Sequence, residues 1–348
     1  MPPNSWCRNL SNKVRLIQRY DGDIGYQPCC WMNDTIPVST KDDLVSARHQ
    51  FEDLVMSDKE KYCNECIRRE KIGKYPSHRQ LVMNHVPDDA ESGDVTVLEL
   101  QIDTVCNAAC VICGPHFSSL WRKQLKISEI DATNGYEKLH NMIELNKITN
   151  IRFLGGEPML SNDYLVLLDS MPHPEGITVQ YTTNGSIFPD DNIMKIWSKY
   201  RKIILMYSID DMDDRFGYVR WPLRWNKIDQ NFRYVLGNLK NSQIGINCTV
   251  NAMSVYYIDQ LQSWSAQCGN ALLKFSKCFG TWGLSACPEG VRSQVLQKLG
   301  PDHEVSMMLA QEPANVQHTQ ALIDHMDQLD SQRGTSWRKT FAEIQHYF

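Results

Sequence analysis

The sequence contains no apolar run long enough to cross a bilayer, and its opening residues, MPPNSWCRNLSNK, lack the apolar stretch of a secretory leader. A cytoplasmic protein without a membrane partner is therefore expected. Outside one short stretch, the basic residues are scattered rather than clustered. With a formal net charge of -5 there is no electrostatic case for a nucleic-acid partner. Internal repeats and low-complexity segments do not occur. Charged residues make up only 22% against 42% hydrophobic, which is the balance of a globular chain rather than a disordered one. A length of 348 residues allows one large domain with a smaller appendage.

Cysteine, by contrast, is abundant, with 12 residues. In a reducing compartment close-set cysteines point to metal rather than to disulfides. Cys7, Cys29, Cys30, Cys63, Cys66, Cys106, Cys110 and Cys113 all fall in the first third of the chain. Cys248, Cys268, Cys278 and Cys287 are spread out and read as buried free thiols.

Three regions emerge along the chain. Residues 1–94 are rich in cysteine, turn formers and charge, with one helical pattern over Lys41–Met56 and a polar linker over Pro87–Asp94. Residues 95–287 alternate short apolar runs with helical stretches. The runs are 95–102, 148–154, 177–182, 203–209, 244–250 and 272–275, and six such units imply parallel β/α architecture. Chemistry should then sit after each strand, at its C-terminal end. Residues 288–348 read as two to four amphipathic helices.

The segment VLELQIDTVCNAACVICG places Cys106, Cys110 and Cys113 in a C-x3-C-x2-C loop after the first of these strands. Three thiolates can grip one metal centre, whereas zinc usually takes four ligands in paired units. A [4Fe–4S] cluster with three cysteines leaves one iron open, and the amino and carboxylate groups of S-adenosylmethionine (SAM) suit that position. Three inert core thiols are the plainer interpretation, but this loop is polar.

Here the sequence resembles the radical SAM superfamily, whose core is a partial (β/α)6 barrel, over about Val95 to Phe279. One departure is Ile112, where that family usually has an aromatic residue. The resemblance implies reductive cleavage of SAM at the cluster to a 5′-deoxyadenosyl radical, which abstracts hydrogen from a substrate. FLGGEP, with Gly155, Gly156 and Glu157, is similar to the family's GGEP motif and implies contact with the SAM amino group. On its own it would be a tight turn. Asn184 in TTNG matches a segment that borders the cofactor. YSIDD followed by RFGYVRW is similar to the family's S-x-D strand end and later arginine. This implies that Ser208 and Asp210 lie near the SAM ribose and Arg220 near its carboxylate. Helix capping and a surface ion pair are the non-functional explanations of the same three residues.

Toward the N-terminus, Gly25, then Cys30, then the C-x2-C of Cys63 and Cys66 resembles the auxiliary-cluster region of the SPASM/twitch branch, although that region usually follows the barrel. The resemblance implies a second, auxiliary [4Fe–4S] cluster on Cys7, Cys30, Cys63 and Cys66, with Cys29 able to replace Cys30. Structural zinc suits four thiolates equally well. The neighbouring basic stretch Ile67–Gln80 reads as a solvated face. That branch implies a peptide or protein substrate, with small molecules also known, and an electron donor such as flavodoxin or ferredoxin. The competing class is a metal-stabilised binding protein without catalysis. Such a protein has no need of cofactor-like motifs at three successive strand ends.

Overall fold

The computed structural model describes residues 7–19, 21–32, 34–73, 77–80, 94–128, 135–269 and 271–348. The linker expected over residues 87–93 lies outside the described residues, as do residues 74–76 of the basic stretch. The chain is α/β and divides into two compact units that interleave along the sequence. The first is Met1–Val105, Ile127–Tyr181 and Asp191–Ile203; the second is Cys106–Lys126, Thr182–Asp190 and Ile204–Phe348.

The first unit carries β1 (Lys13–Gln18), β2 (Ile24–Tyr26), β3 (Ile36–Pro37), β4 (Val97–Gln101), β5 (Asn150–Phe153) and β6 (Thr178–Thr183), with Thr182 and Thr183 assigned to the second unit. Their order is β3-β2-β1-β4-β5-β6. β1 pairs with β2 antiparallel and with β4 parallel, and the pairs β4–β5 and β5–β6 are parallel. The period-2 pattern puts Val14, Leu16, Leu98, Leu100, Ile151, Phe153, Val179 and Tyr181 into the core, each fully buried. Phe153 stacks on Tyr181 with ring centroids 5.1 Å apart, and Trp197 Nε1 donates to the Tyr181 hydroxyl at 3.0 Å. Each such aromatic contributes about 2–3 kcal/mol of burial, so this cluster anchors the unit.

Helix α1 (Lys41–Ser57) forms where the 3.6-residue spacing predicted it. Its N-terminus carries a capping box in which Asp43 N–H donates to Thr40 Oγ1 at 3.1 Å and Thr40 N–H donates to Asp43 Oδ2 at 3.0 Å. Helix α2 (Asn64–Ile72) carries Cys66 and stops at Gly73, whose φ of 69° is a left-handed conformation that a Cβ disfavours. Helices α4 (Asp163–Asp169) and α5 (Asp191–Trp197) complete this unit's described helices together with Gly135–Met142 and shorter turns.

The second unit carries α3 (Ser119–Leu125), β7 (Lys202–Ser208), β8 (Ser242–Val250) and β9 (Leu272–Lys277), in the strand order β7-β8-β9. The first two residues of β7 are assigned to the other unit. Between and after the strands run α6 (Asp213–Val219), α7 (Trp225–Asn238) and α8 (Ile258–Gln267). The C-terminal part is helical, as expected: α9 (Glu289–Leu299), α10 (Glu304–Ala310), α11 (Val316–Arg333) and a final short turn of helix at Trp337–Thr340. Asn315 caps α11 by accepting from the Gln317 and His318 amides. Cys248, Cys268, Cys278 and Cys287 are all buried free thiols.

All six parallel strands expected in residues 95–287 are present. The sequence reading missed β1–β3. β1 alternates Val14 and Leu16 with Lys13 and Arg15, within a region whose sequence shows mainly cysteine, turn formers and charge. Both charges are in fact buried, at 3% and 7% exposure, because they pair with Glu99 on the neighbouring strand. No helix among the described residues is long and apolar enough to cross a membrane.

Candidate metal centres and cofactor site

In the second unit the cysteine loop opens with Cys106, half-buried, and continues to buried Cys110 and exposed Cys113. Its backbone is tied at almost every residue. Cys106 N–H donates to Ser119 Oγ at 3.0 Å, and the Ser118 hydroxyl donates to Ala108 O at 2.6 Å. Trp121 Nε1 donates to Cys110 O at 2.9 Å. The Ala109 and Val111 amides donate to the carbonyls of Trp221 and Val219 at 2.7 and 2.8 Å. A loop so held keeps its thiols in place before any metal arrives.

The thiols lie near enough to feel one another. Burial pushes the Cys110 thiol up to about 12; Arg220 opposes this, while Cys113 and Cys106 add to the rise. The protein atoms packed around the loop displace water from near Cys113 and likewise raise its thiol, although part of the side chain reaches the surface. Thiols that resist ionisation this way are ionised by a cation taking the proton's place, which suits a metal centre. Arg220 is the compensating charge: its Nη1 lies 3.7 Å from Cys110 Sγ and its Nη2 2.7 Å from Asp210 Oδ2. Burial works against the guanidinium's charge, but Asp210 beside it holds it above its ordinary value. Arg220 Nε is buried without a hydrogen-bond partner, a donor still to be met by an acceptor. Asp210 also accepts from the Thr249 amide at 2.7 Å. The two residues expected around the ribose and carboxylate of SAM are thus tied to each other in this structure.

Asn184 is 7% exposed and joined to the cysteine loop. Its Nδ2 donates to Asn107 Oδ1 at 2.9 Å, its Oδ1 accepts from the Ser186 amide at 2.9 Å, and Asn107 Nδ2 donates to Ser186 Oγ at 2.9 Å. Gly185 has φ 75°, and a Cβ there would lie 2.6 Å from the Tyr207 ring. Ser208, half-buried, ends β7.

In the first unit, the GGEP segment follows β5. A Cβ on Gly156 would sit 2.1 Å from Val105 O, and one on Gly155 2.3 Å from Asp103 O. The glycines therefore serve a close backbone approach to the chain leaving β4, sealed by Gly156 N–H to Asp103 O (3.1 Å) and Glu157 N–H to Val105 O (2.8 Å). Glu157 is 2% exposed, and its Oε1 accepts from the Met159 amide at 3.2 Å.

The N-terminal cysteines also converge in the first unit. Cys7, Cys29, Cys63 and Cys66 line one cavity, together with His78 and Arg79. Burial raises the Cys7 thiol to about 11, with Cys63 and Cys66 adding to the rise. Cys30 is not among the described residues lining that cavity; with Cys29 and His78, which do line it, Cys30 forms an overlapping group whose ligand atoms all lie within 4.8 Å of one another. Burial and the nearby Lys13 hold His78 down near 4, so it stays neutral, and its Nε2 is buried with no hydrogen-bond partner.

Sequence reasoning missed several residues here. His78 carried no motif. Arg333, at the end of α11, donates to Ala109 O at 2.9 Å and lies 4.8 and 4.9 Å from the rings of Trp121 and Trp221. Trp221 stands beside Arg220 in the sequence and was a usable signal; Arg333 had none.

Residues 101–258 match the model of the radical SAM superfamily. This stretch is a radical SAM domain, of the class found in iron–sulfur, SAM-dependent enzymes. The match covers somewhat less than half of the chain. Among curated proteins, the chain is 25% identical over 199 residues to molybdenum cofactor biosynthesis protein 1 of Dictyostelium discoideum, covering 55% of this chain and 30% of that one. It is 27% identical over 136 residues to the GTP 3′,8-cyclase of Haemophilus ducreyi, covering 34% of each. The chain thus spans about a third of the length of these relatives. Among solved structures, native anSMEcpe with bound AdoMet and Cp18Cys peptide aligns with 17% identity and a TM-score of 0.42, over 59% of this chain and 58% of that one. Streptococcus suis SuiB bound to precursor peptide SuiA aligns with 11% identity and a TM-score of 0.41, over 93% and 70%.

Proposed function

We propose that the protein is a radical SAM enzyme that cleaves SAM reductively and abstracts hydrogen from a substrate. The observation that carries this is the braced C-x3-C-x2-C loop with a buried arginine on its central cysteine. When bound, a [4Fe–4S] cluster supplies the electron for cleavage and leaves one iron open for SAM.

Cys106, Cys110 and Cys113 are the proposed cluster ligands. Arg220, kept charged by Asp210, offsets thiolate charge and directs its unpartnered Nε to the SAM carboxylate. Gly155, Gly156 and Glu157 take the amino group, Asn184 holds the loop beside the cofactor, and Ser208 with Asp210 borders the ribose. An electron donor such as flavodoxin or ferredoxin supplies the reductant. The curated relatives, one of them a GTP 3′,8-cyclase, favour a small-molecule substrate over the peptide or protein that the SPASM/twitch resemblance implies.

The N-terminal region is proposed to hold an auxiliary [4Fe–4S] cluster. Cys7, Cys29, Cys63 and Cys66 are its ligands, with Cys29 in the place first given to Cys30, because these four share a cavity. A second reading has its own support: Cys29, Cys30 and His78 are spaced for a single ion, as zinc in a metal-stabilised binding protein would require.

Anaerobic reconstitution separates the two. With dithionite, the enzyme converts SAM to 5′-deoxyadenosine and methionine, and the triple variant Cys106→Ala/Cys110→Ala/Cys113→Ala does not. Equal turnover by that variant sinks the enzyme reading, and a colourless protein carrying one or two zinc ions favours the binding protein.

A further inference from the structure

Two guanidinium groups stand against the cysteine loop in the second unit, and they differ in one respect. Arg220 is neutralised where it lies, because its Nη2 is 2.7 Å from a carboxylate oxygen of Asp210. Arg333, at the C-terminal end of α11, finds only neutral hydrogen-bond partners among the described residues. Its Nη2 donates to Ala109 O at 2.9 Å, and Gln124 Oε1 accepts from Nε at 3.3 Å and from Nη2 at 3.2 Å.

The charge on Arg333 is secure. Burial lowers the guanidinium to about 10, while Tyr218, Cys110 and Asp330 act against that fall, so it is cationic at neutral pH. The rings of Trp121 and Trp221, with centres 4.8 and 4.9 Å from its Cζ, favour a cation beside them. Its position is secure too. The Ala109 carbonyl belongs to the peptide that enters Cys110, and Trp121 Nε1 holds the Cys110 carbonyl at 2.9 Å. A cation without a carboxylate partner is thus fixed one peptide from the central thiol. An iron–sulfur centre on three thiolates is negative, and an added electron makes it more so. A fixed cation nearby favours the reduced form.

We propose that Arg333 sets the reduction potential of the cluster on Cys106, Cys110 and Cys113, holding it higher than the loop alone would. Electron entry from the reductant is eased accordingly. Arg333 touches neither substrate nor cofactor and acts through its charge. The role rests on the proposed cluster being there. Charge and bracing can be told apart by sign. Losing the cation lowers the potential, whereas a loosened loop admits water, which solvates the more highly charged reduced form and raises it.

The test is a dye-mediated redox titration of the reconstituted full-length chain without SAM. It follows the electron paramagnetic resonance signal that the Cys106→Ala/Cys110→Ala/Cys113→Ala variant lacks. Gln124→Glu sets a carboxylate against Arg333 and keeps the acceptor at position 124, so the brace stays. Arg333→Met removes the charge but leaves an apolar stem beside the indoles, and Arg333→Lys keeps the charge. At a fixed potential the reduced-to-oxidised ratio should fall roughly tenfold in Gln124→Glu and in Arg333→Met, about 59 mV for a one-electron couple. Arg333→Lys should stay within about threefold of wild type. An unchanged potential in Gln124→Glu overturns the proposal, whatever becomes of the Arg333 variants. A rise in Arg333→Met, or an equal fall in Arg333→Lys, overturns it as well and leaves Arg333 a brace. A wild-type chain with no signal dependent on the three thiols removes the proposed cluster and this role with it; a signal whose potential ignores charge removes the role alone.

Discussion

Nη2 of Arg333 donates to the carbonyl oxygen of Ala109 at 2.9 Å, joining positions 224 residues apart. The same guanidinium lies near Trp121 and Trp221, each of which hydrogen-bonds to the loop between Cys106 and Cys113 through its indole or its carbonyl. The C-terminal helix thereby braces the cysteine loop without supplying a ligand.

Replacing Arg333 with Ala removes a charged hydrogen bond and two cation–π contacts, together about 2–4 kcal/mol of local stabilisation. The expected result is faster amide hydrogen exchange at Ala109 and Val111 and faster iron loss to a chelator, by roughly tenfold or more. Arg333→Lys restores charge but not the planar fork, so it should recover only part. Unchanged exchange in Arg333→Ala would show that the loop stands without the brace.

The cavity shared by Cys7, Cys29, Cys63 and Cys66 separates two neighbouring cysteines. In a background lacking the Cys106, Cys110 and Cys113 thiols, Cys29→Ala should lose most of the remaining iron and Cys30→Ala should keep it. Iron analysis with visible absorption reads this directly. The reverse pattern would return Cys30 to the ligand set.

Burial lifts the Asp211 carboxyl from 3.8 to about 7, although Arg215 Nε lies 2.8 Å away and opposes the rise. Between those values the folded chain keeps a proton that the unfolded chain has released. Stability contributed at this site is therefore greatest below about pH 4, falls as pH rises through about 7, and is flat above. The difference is on the order of 4 kcal/mol. Asp211→Asn should be more stable than wild type at pH 8 and close to it at pH 4, by denaturant unfolding at each pH. A variant less stable at pH 8 would mean that the ionised pair with Arg215 outweighs its desolvation.

Much of the radical SAM part was legible in the order of residues. Strands β4–β9 announce themselves because short apolar or alternating runs recur between helical stretches, and the cysteine loop and GGEP because their chemistry depends on short local spacing. The reason for the two glycines was less visible: a Cβ at Gly156 would strike Val105 O, a neighbour that spacing alone does not reveal.

The amino-acid sequence by itself determined the β/α alternation, the helical C-terminal part and the three-thiol loop, since each follows from periodicity or from residues a few positions apart. Tertiary structure decided that Cys29 lines a cavity with Cys7, Cys63 and Cys66, that Arg333 reaches Ala109, and that Lys13 and Arg15 belong to a buried strand. These are contacts between distant segments. A charged side chain looks solvent-facing until the strand beside it is known, and Glu99 makes a buried place for two of them.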